Sequence, residues 1–220
     1  MQRVTVSVGV LVFVGLVCAQ APAQDIPEEA RKGLAHTLQG SFLVIRDKVQ
    51  DDLKLSKEQK EKVEEHLKEL LPDAMKFFEN LKDLKGEERE KELKAYRPKA
   101  QEKLAAFLKE TLKDDQRKRL GQLELQREGA FALWHGDVEI GKALQITDEQ
   151  RKQFMAVVQD MQKKIEPLIK EAQSGGKPEE IRPKVMKIRK EHEGKLEALL
   201  TDAQKKQWKE MLGKPLDLDD

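Results

Sequence analysis

The chain repeats itself. Leu55-Ser56-Lys57-Glu58-Gln59 recurs as Ile146-Thr147-Asp148-Glu149-Gln150, and the register holds on both sides of the pentapeptide. Val49 and Leu53 fall opposite Ile140 and Leu144, and Val63, Leu67 and Leu70 opposite Phe154, Val158 and Met161, all 91 positions apart. A second motif, Leu200-Thr201-Asp202-Ala203-Gln204, has a degenerate partner 88 positions earlier in Leu112-Lys113-Asp114-Asp115-Gln116. In a chain of 220 residues, a period this long points to two copies of one supersecondary unit. The copies span 49–128 and 138–213, joined by a connector over 129–137. An amphipathic helix over 24–48, interrupted by Gly40, precedes the first copy. Residues 130–146 are expected to play the same part for the second, and the tail over 214–220 is expected to be disordered.

Each motif reads as a helix start. A Ser or Thr followed three residues later by Gln is a capping box: the hydroxyl accepts from a free N–H of the first turn, and the glutamine reaches back to the cap's own N–H. Ser56 with Gln59, Thr147 with Gln150 and Thr201 with Gln204 fit. Leu55, Ile146 and Leu200 stand just before each hydroxyl, where they can staple onto the first turn. In Leu112 to Gln116, Lys113 has no acceptor, so the cap falls to Asp114 or Asp115. Beyond the caps, apolar residues recur with a 3.6-residue period, as in Val63, Leu67, Leu70, Ala74 and in Ile181, Val185, Ile188, His192. Breaks come at Gly86 and at Gly175-Gly176. Pro72, Pro98 and Pro167 predict kinks, and Pro183 is expected near a helix start, where proline is tolerated.

Composition agrees with this pattern. Charged residues make up 38% of the chain, and about half of it is Ala, Glu, Lys, Leu or Arg, the balance of long helices. No window alternates like a strand. The expected fold is all-α, two tandem copies of a long helical hairpin with flanking short helices, which could pack together as an intrachain pseudo-dimer.

Met1 to Ala23 differs from everything after it. Arg3 opens it, Val4 to Val17 is apolar or small, and Ala19-Gln20-Ala21 and Ala21-Pro22-Ala23 are small-x-small cleavage patterns. This is the layout of a secretory signal peptide. The apolar run is too short for the roughly 20 residues of a membrane span. Cleavage removes one basic residue and Cys18, leaving a thiol-free chain with equal numbers of basic and acidic residues. No global basic field then draws it to nucleic acid or an anionic membrane, and no stable membrane insertion is expected after cleavage.

Reactive chemistry is sparse in the sequence. His36, His66, His135 and His192 have no zinc-ligand spacing. His66 and His192 flank or occupy apolar stripes, which favours packing over ligation. The carboxylates alternate with lysines on polar faces, the pattern of solvated helix surface. No nucleophile–base pair, phosphate loop or calcium loop is present. No enzyme, cofactor or metal site is expected.

Taken together, a leader, a helical remainder with few aromatics and the motifs at Leu55–Gln59, Ile146–Gln150 and Leu200–Gln204, with Leu112 to Gln116 as a degenerate case, resemble the LTXXQ-motif family. Its members include the Spy-type periplasmic chaperones and related envelope-stress adaptors. The resemblance implies a helical hairpin with flanking helices, a cradle-shaped homodimer with two motifs per protomer, and ATP-independent binding of unfolded or partly folded proteins. The chain departs from that pattern in carrying four motifs and a net charge of zero once the leader is removed. By this reading it is periplasmic or secreted, and either a monomeric pseudo-dimer or a homodimer. Met155, Met186 and the Phe77-Phe78 pair are candidate client contacts, because flexible or broad apolar side chains suit varied partners. Two other readings are a metal-responsive periplasmic module and a passive coiled-coil envelope protein.

Overall fold

The computed structural model describes residues 28–81, 84, 86–135 and 138–218. The expected leader over 1–23 lies outside the described residues. Among the described residues the regular structure is helical throughout, and the fold is all-α. The chain divides into two compact units, with the boundary between Glu124 and Leu125. Each is described in turn.

In the first unit, α1 (Glu28–Leu38) leads into a 3-10 segment (Gly40–Ile45) and α2 (Asp47–Asp52). Sequence reading expects one interrupted helix here; the structure breaks it into three pieces. The break sits at Gln39 and Gly40, both with positive φ (62° and 55°), a conformation that a continuing helix does not permit. Side chains of α4 (Gly86–Thr111) take up the carbonyls left open at the end of α1: Arg97 Nε donates to Thr37 O (2.9 Å) and Gln101 Nε2 to Leu38 O (3.0 Å). Arg31 on α1 is buried. It donates to Ile45 O (3.1 Å) and to the carboxylate of Glu64 on α3 (Lys57–Asn80). Buried Phe42, Leu43, Val44 and Ile45 of the 3-10 segment pack beneath the long helices.

Helices α3 and α4 lie antiparallel: His66 stacks on Phe107 (4.1 Å between ring centroids) and Phe77 on Tyr96 (3.8 Å). Helix α5 (Asp114–Glu128) follows, and the unit boundary falls within it.

In the second unit a 3-10 turn (Gly129–Phe131), α6 (Ala132–His135) and α7 (Val138–Ala143) precede the hairpin of α8 (Asp148–Gln173) and α9 (Pro178–Ala198), which α10 (Asp202–Leu212) closes. Within the connector expected over 129–137, Ala130, Phe131, Ala132 and Leu133 are buried with Leu144, Phe154, Val158, Leu196 and Trp208. Gly129 has φ 64°, and a Cβ there would sit 1.9 Å from Glu193 Oε1, which accepts from Ala130 N at 3.1 Å. The tail is also held farther than expected. Gln126 Nε2 donates to Leu212 O (2.6 Å) and Lys214 O (2.8 Å), while its Oε1 accepts from Leu216 N (3.0 Å).

The long helices run through Pro72, Pro98, Pro167 and Pro183. Pro183 lies in the interior of α9, because the helix already starts at Pro178, whose missing N–H costs nothing at a first position.

Candidate functional site

The repeated motif is a structural device with more parts than a cap. Ser56, Thr147 and Thr201 each accept from the backbone N–H three residues on, and Gln59, Gln150 and Gln204 each reach back to the cap residue's N–H, completing three capping boxes. The same glutamines then meet in pairs. Gln150 Nε2 donates to Gln204 Oε1 (2.7 Å), and Gln204 Nε2 returns a bond to Gln150 Oε1 (3.1 Å). The remaining amide protons go to backbone carbonyls, Gln150 to Leu199 O and Gln204 to Leu144 O, both at 3.0 Å. Each amide therefore donates twice and accepts at least twice, which fills its inventory. One clasp ties the start of α8, the start of α10 and the ends of the segments before them.

The first unit holds the same clasp. Gln59 Nε2 donates to Gln116 Oε1 (2.8 Å) and to Thr111 O (2.8 Å), and Gln116 Nε2 donates to Gln59 Oε1 (3.1 Å) and Leu53 O (3.3 Å). The fourth motif differs from expectation at its cap. Neither Asp114 nor Asp115 occupies the cap position; both lie inside the first turn, and Lys113 precedes the helix. Gln116 still accepts from Lys113 N (3.0 Å), so half the box survives without a hydroxyl. The glutamine is the constant part because the clasp needs it, whereas the hydroxyl serves one helix end.

The approach to each clasp is duplicated too. Lys54 and Gln145 share φ 52°. Leu55 N bonds Gln50 O and Lys54 N bonds Asp51 O; Ile146 N bonds Gly141 O and Gln145 N bonds Lys142 O. This is the Schellman ending, here with Lys and Gln in the left-handed position that favours glycine. Leu55, Leu112, Ile146 and Leu200 are buried at the four junctions.

Along the hairpin shafts the two units diverge. Leu104 in the first corresponds to His192 in the second, and both are buried. His192 Nδ1 lies 2.6 Å from Ile188 O and Nε2 2.9 Å from Asp160 Oδ2. Both ring nitrogens thus lie within hydrogen-bond distance of an oxygen, one of the backbone and one of a carboxyl group. The His192 bond first, and Lys164 after it, hold the Asp160 carboxyl down to about 2. His66, opposite Val157, stacks on Phe107 and so has a packing role. Asp73 and Lys103 pair at 3.8 Å in the first unit; at the matching positions Lys164 and Glu191 pair at 3.8 Å with the signs exchanged.

The four candidate contact residues separate. Met155 and Met186 are exposed (45% and 61%) on α8 and α9. Phe77 is half-buried under Tyr96, and Phe78 is buried in the core, which removes it from the contact set. Met75, not singled out from sequence, is exposed at 36%; it follows Ala74 in the apolar stripe, so its outward direction is readable from period alone.

Among the described residues no group of three or more His, Cys, Asp or Glu could hold a metal ion, and no helix is long and apolar enough to cross a membrane. No family model, no curated protein and no solved structure matches the chain.

Proposed function

We propose that the chain is an extracytoplasmic, non-enzymatic binding protein that holds unfolded or partly folded proteins without ATP, in the manner of the family its motifs resemble. The observation that carries this reading is the display of Met155 and Met186 on the two arms of a helical hairpin whose other exposed positions are largely charged. Thioether side chains adapt to many surfaces. The surrounding Lys–Glu pairs, such as Lys170–Glu166 and Lys195–Glu191, are exposed and contribute about 0–1 kcal/mol each, so they can exchange partners freely. The rigid parts of the molecule, the clasps and buried junctions, hold the hairpin while its surface binds.

The test is light scattering of a denatured client diluted into buffer with the chain at stoichiometric and several-fold excess. Reduced scattering for two unrelated clients, weakened by Met155→Ser with Met186→Ser, supports the reading. No reduction at either salt extreme rejects it in favour of a passive structural protein. Mass spectrometry of material exported from cells tests the location, with mature chains starting at Pro22 or Gln24 as the expected result. Multi-angle light scattering tests the assembly, which we take to be a monomeric pseudo-dimer or a homodimer.

A further inference from the structure

The first unit contains a cavity of about 150 Å³ between α3 and α4, roofed by Leu34 and Leu38 of α1. The space traces to two alanines. Ala74 and Ala100 are buried and line it. Their counterparts in the second unit are Ile165, buried in an apolar cluster with Ile181 and Val185, and Ile188, which packs half-buried against that cluster. Two small side chains facing one another at the same level, where the repeat has two large ones, leave room that the roofing helix encloses rather than fills. Empty apolar volume is costly to keep, yet a cavity of about this size with aliphatic walls accepts a benzene ring in another protein.

The mouth is polar and asymmetric in charge. Tyr96, Lys99 and Lys103 follow one another at helical spacing on α4 and line the cavity with Ala100. Lys103 pairs loosely with Asp73 on the opposite rim at 3.8 Å. Lys99 has no carboxylate partner among the described residues. Burial, with the Asp73 charge second, raises the Tyr96 phenol above its ordinary range, so the hydroxyl stays protonated and can donate. The rim therefore offers two ammonium groups and a hydroxyl against one carboxylate.

We propose that this cavity is a binding site for a small amphipathic anion, a carboxylate carrying an apolar tail of about six carbons or one ring. The tail occupies the space left by Ala74 and Ala100, and the carboxylate accepts from Lys99 and Tyr96 at the mouth. Neither the clasps nor the exposed methionines enter this argument, so the site stands independently of the client-binding reading.

Isothermal titration of the full chain with hexanoate tests it, with hexylammonium and acetate as controls. One hexanoate per chain is expected, with no saturable binding of either control. Ala74→Ile and Ala100→Ile, which copy the second unit, should weaken hexanoate by about tenfold or more, since the added carbons occupy the tail's volume. Circular dichroism and the melting temperature report whether each filled variant folds, and Ala74→Val serves if one does not. Lys99→Gln should weaken hexanoate about three- to tenfold, and Asp73→Asn should tighten it. Absence of hexanoate binding, equal affinity for hexylammonium, or unchanged affinity in a folded, filled variant would overturn the proposal.

Discussion

Gln150 and Gln204 lie 54 residues apart in sequence and exchange both halves of their side-chain amides, at 2.7 and 3.1 Å. Truncating either one leaves several buried polar groups without partners, among them the other amide and the carbonyl of Leu144 or Leu199. Orphaning buried hydrogen-bonding groups costs about 1–3 kcal/mol each. Gln204→Ala should therefore destabilise by about 2–4 kcal/mol in urea titration. A cycle with Gln150→Ala should show coupling on the order of 1–3 kcal/mol. Additive losses would mean that the amides act only as local caps.

The caps themselves are separable from the clasp. Thr147→Ala, Ser56→Ala and Thr201→Ala should each cost about 1 kcal/mol, the usual value of an N-cap hydroxyl. Lys113→Ala should cost close to nothing, because the position before α5 carries no side-chain acceptor. Chemical denaturation of the four variants checks the contrast, and similar losses at all four would refute it.

Lys54 and Gln145 hold left-handed backbone at the ends of α2 and α7, where a side chain is penalised by about 1 kcal/mol relative to glycine. Lys54→Gly and Gln145→Gly should raise stability by up to about 1 kcal/mol each, read as a higher melting temperature. Gly129→Ala should do the opposite, since its Cβ would run into Glu193.

The Asp160 carboxyl is held well below its unfolded value by His192 and Lys164. Its contribution to stability is therefore complete above the unfolded carboxylate value, near 4, and is lost as pH falls towards about 2. Asp160→Asn should flatten the melting temperature against pH in that window. His192→Leu, which restores the residue found at the matching Leu104, should fold and should flatten the same window. A slope unchanged in both variants would place the acid sensitivity elsewhere.

What could be read from the sequence was mostly local. Ser56, Thr147 and Thr201 declare their helices because a capping box lies within four consecutive residues. The turn at Gly175-Gly176 is equally local: Gly175 has φ 93°, and a Cβ on Gly176 would approach Glu171 O to 2.8 Å. The pairing of the glutamines was hidden because it joins residues more than fifty positions apart. Gly40 signals the break in the first amphipathic helix, but Gln39 gives no warning of its positive φ, so the two shorter pieces after it have no sequence mark. The held tail depends on Gln126, one glutamine among many, whose partners are backbone groups with no sequence signature. Phe78 and Met186 both sit in amphipathic helices, and only packing decides that one is core and the other surface.

The exchanged ion pairs bear on how a duplicated chain finds the right partners. Both units carry the same glutamine clasp, so during folding α3 could dock on α9, or α8 on α4, as a mismatched hairpin, a hazard characteristic of repeated sequences. In the native arrangement Asp73 meets Lys103 and Lys164 meets Glu191. A crossed pairing would set Asp73 against Glu191 and Lys164 against Lys103. Each native pair is exposed and contributes little to the finished fold. Their reversed polarity instead sets one like-charge contact into each wrong hairpin, a cost met before its apolar faces have closed.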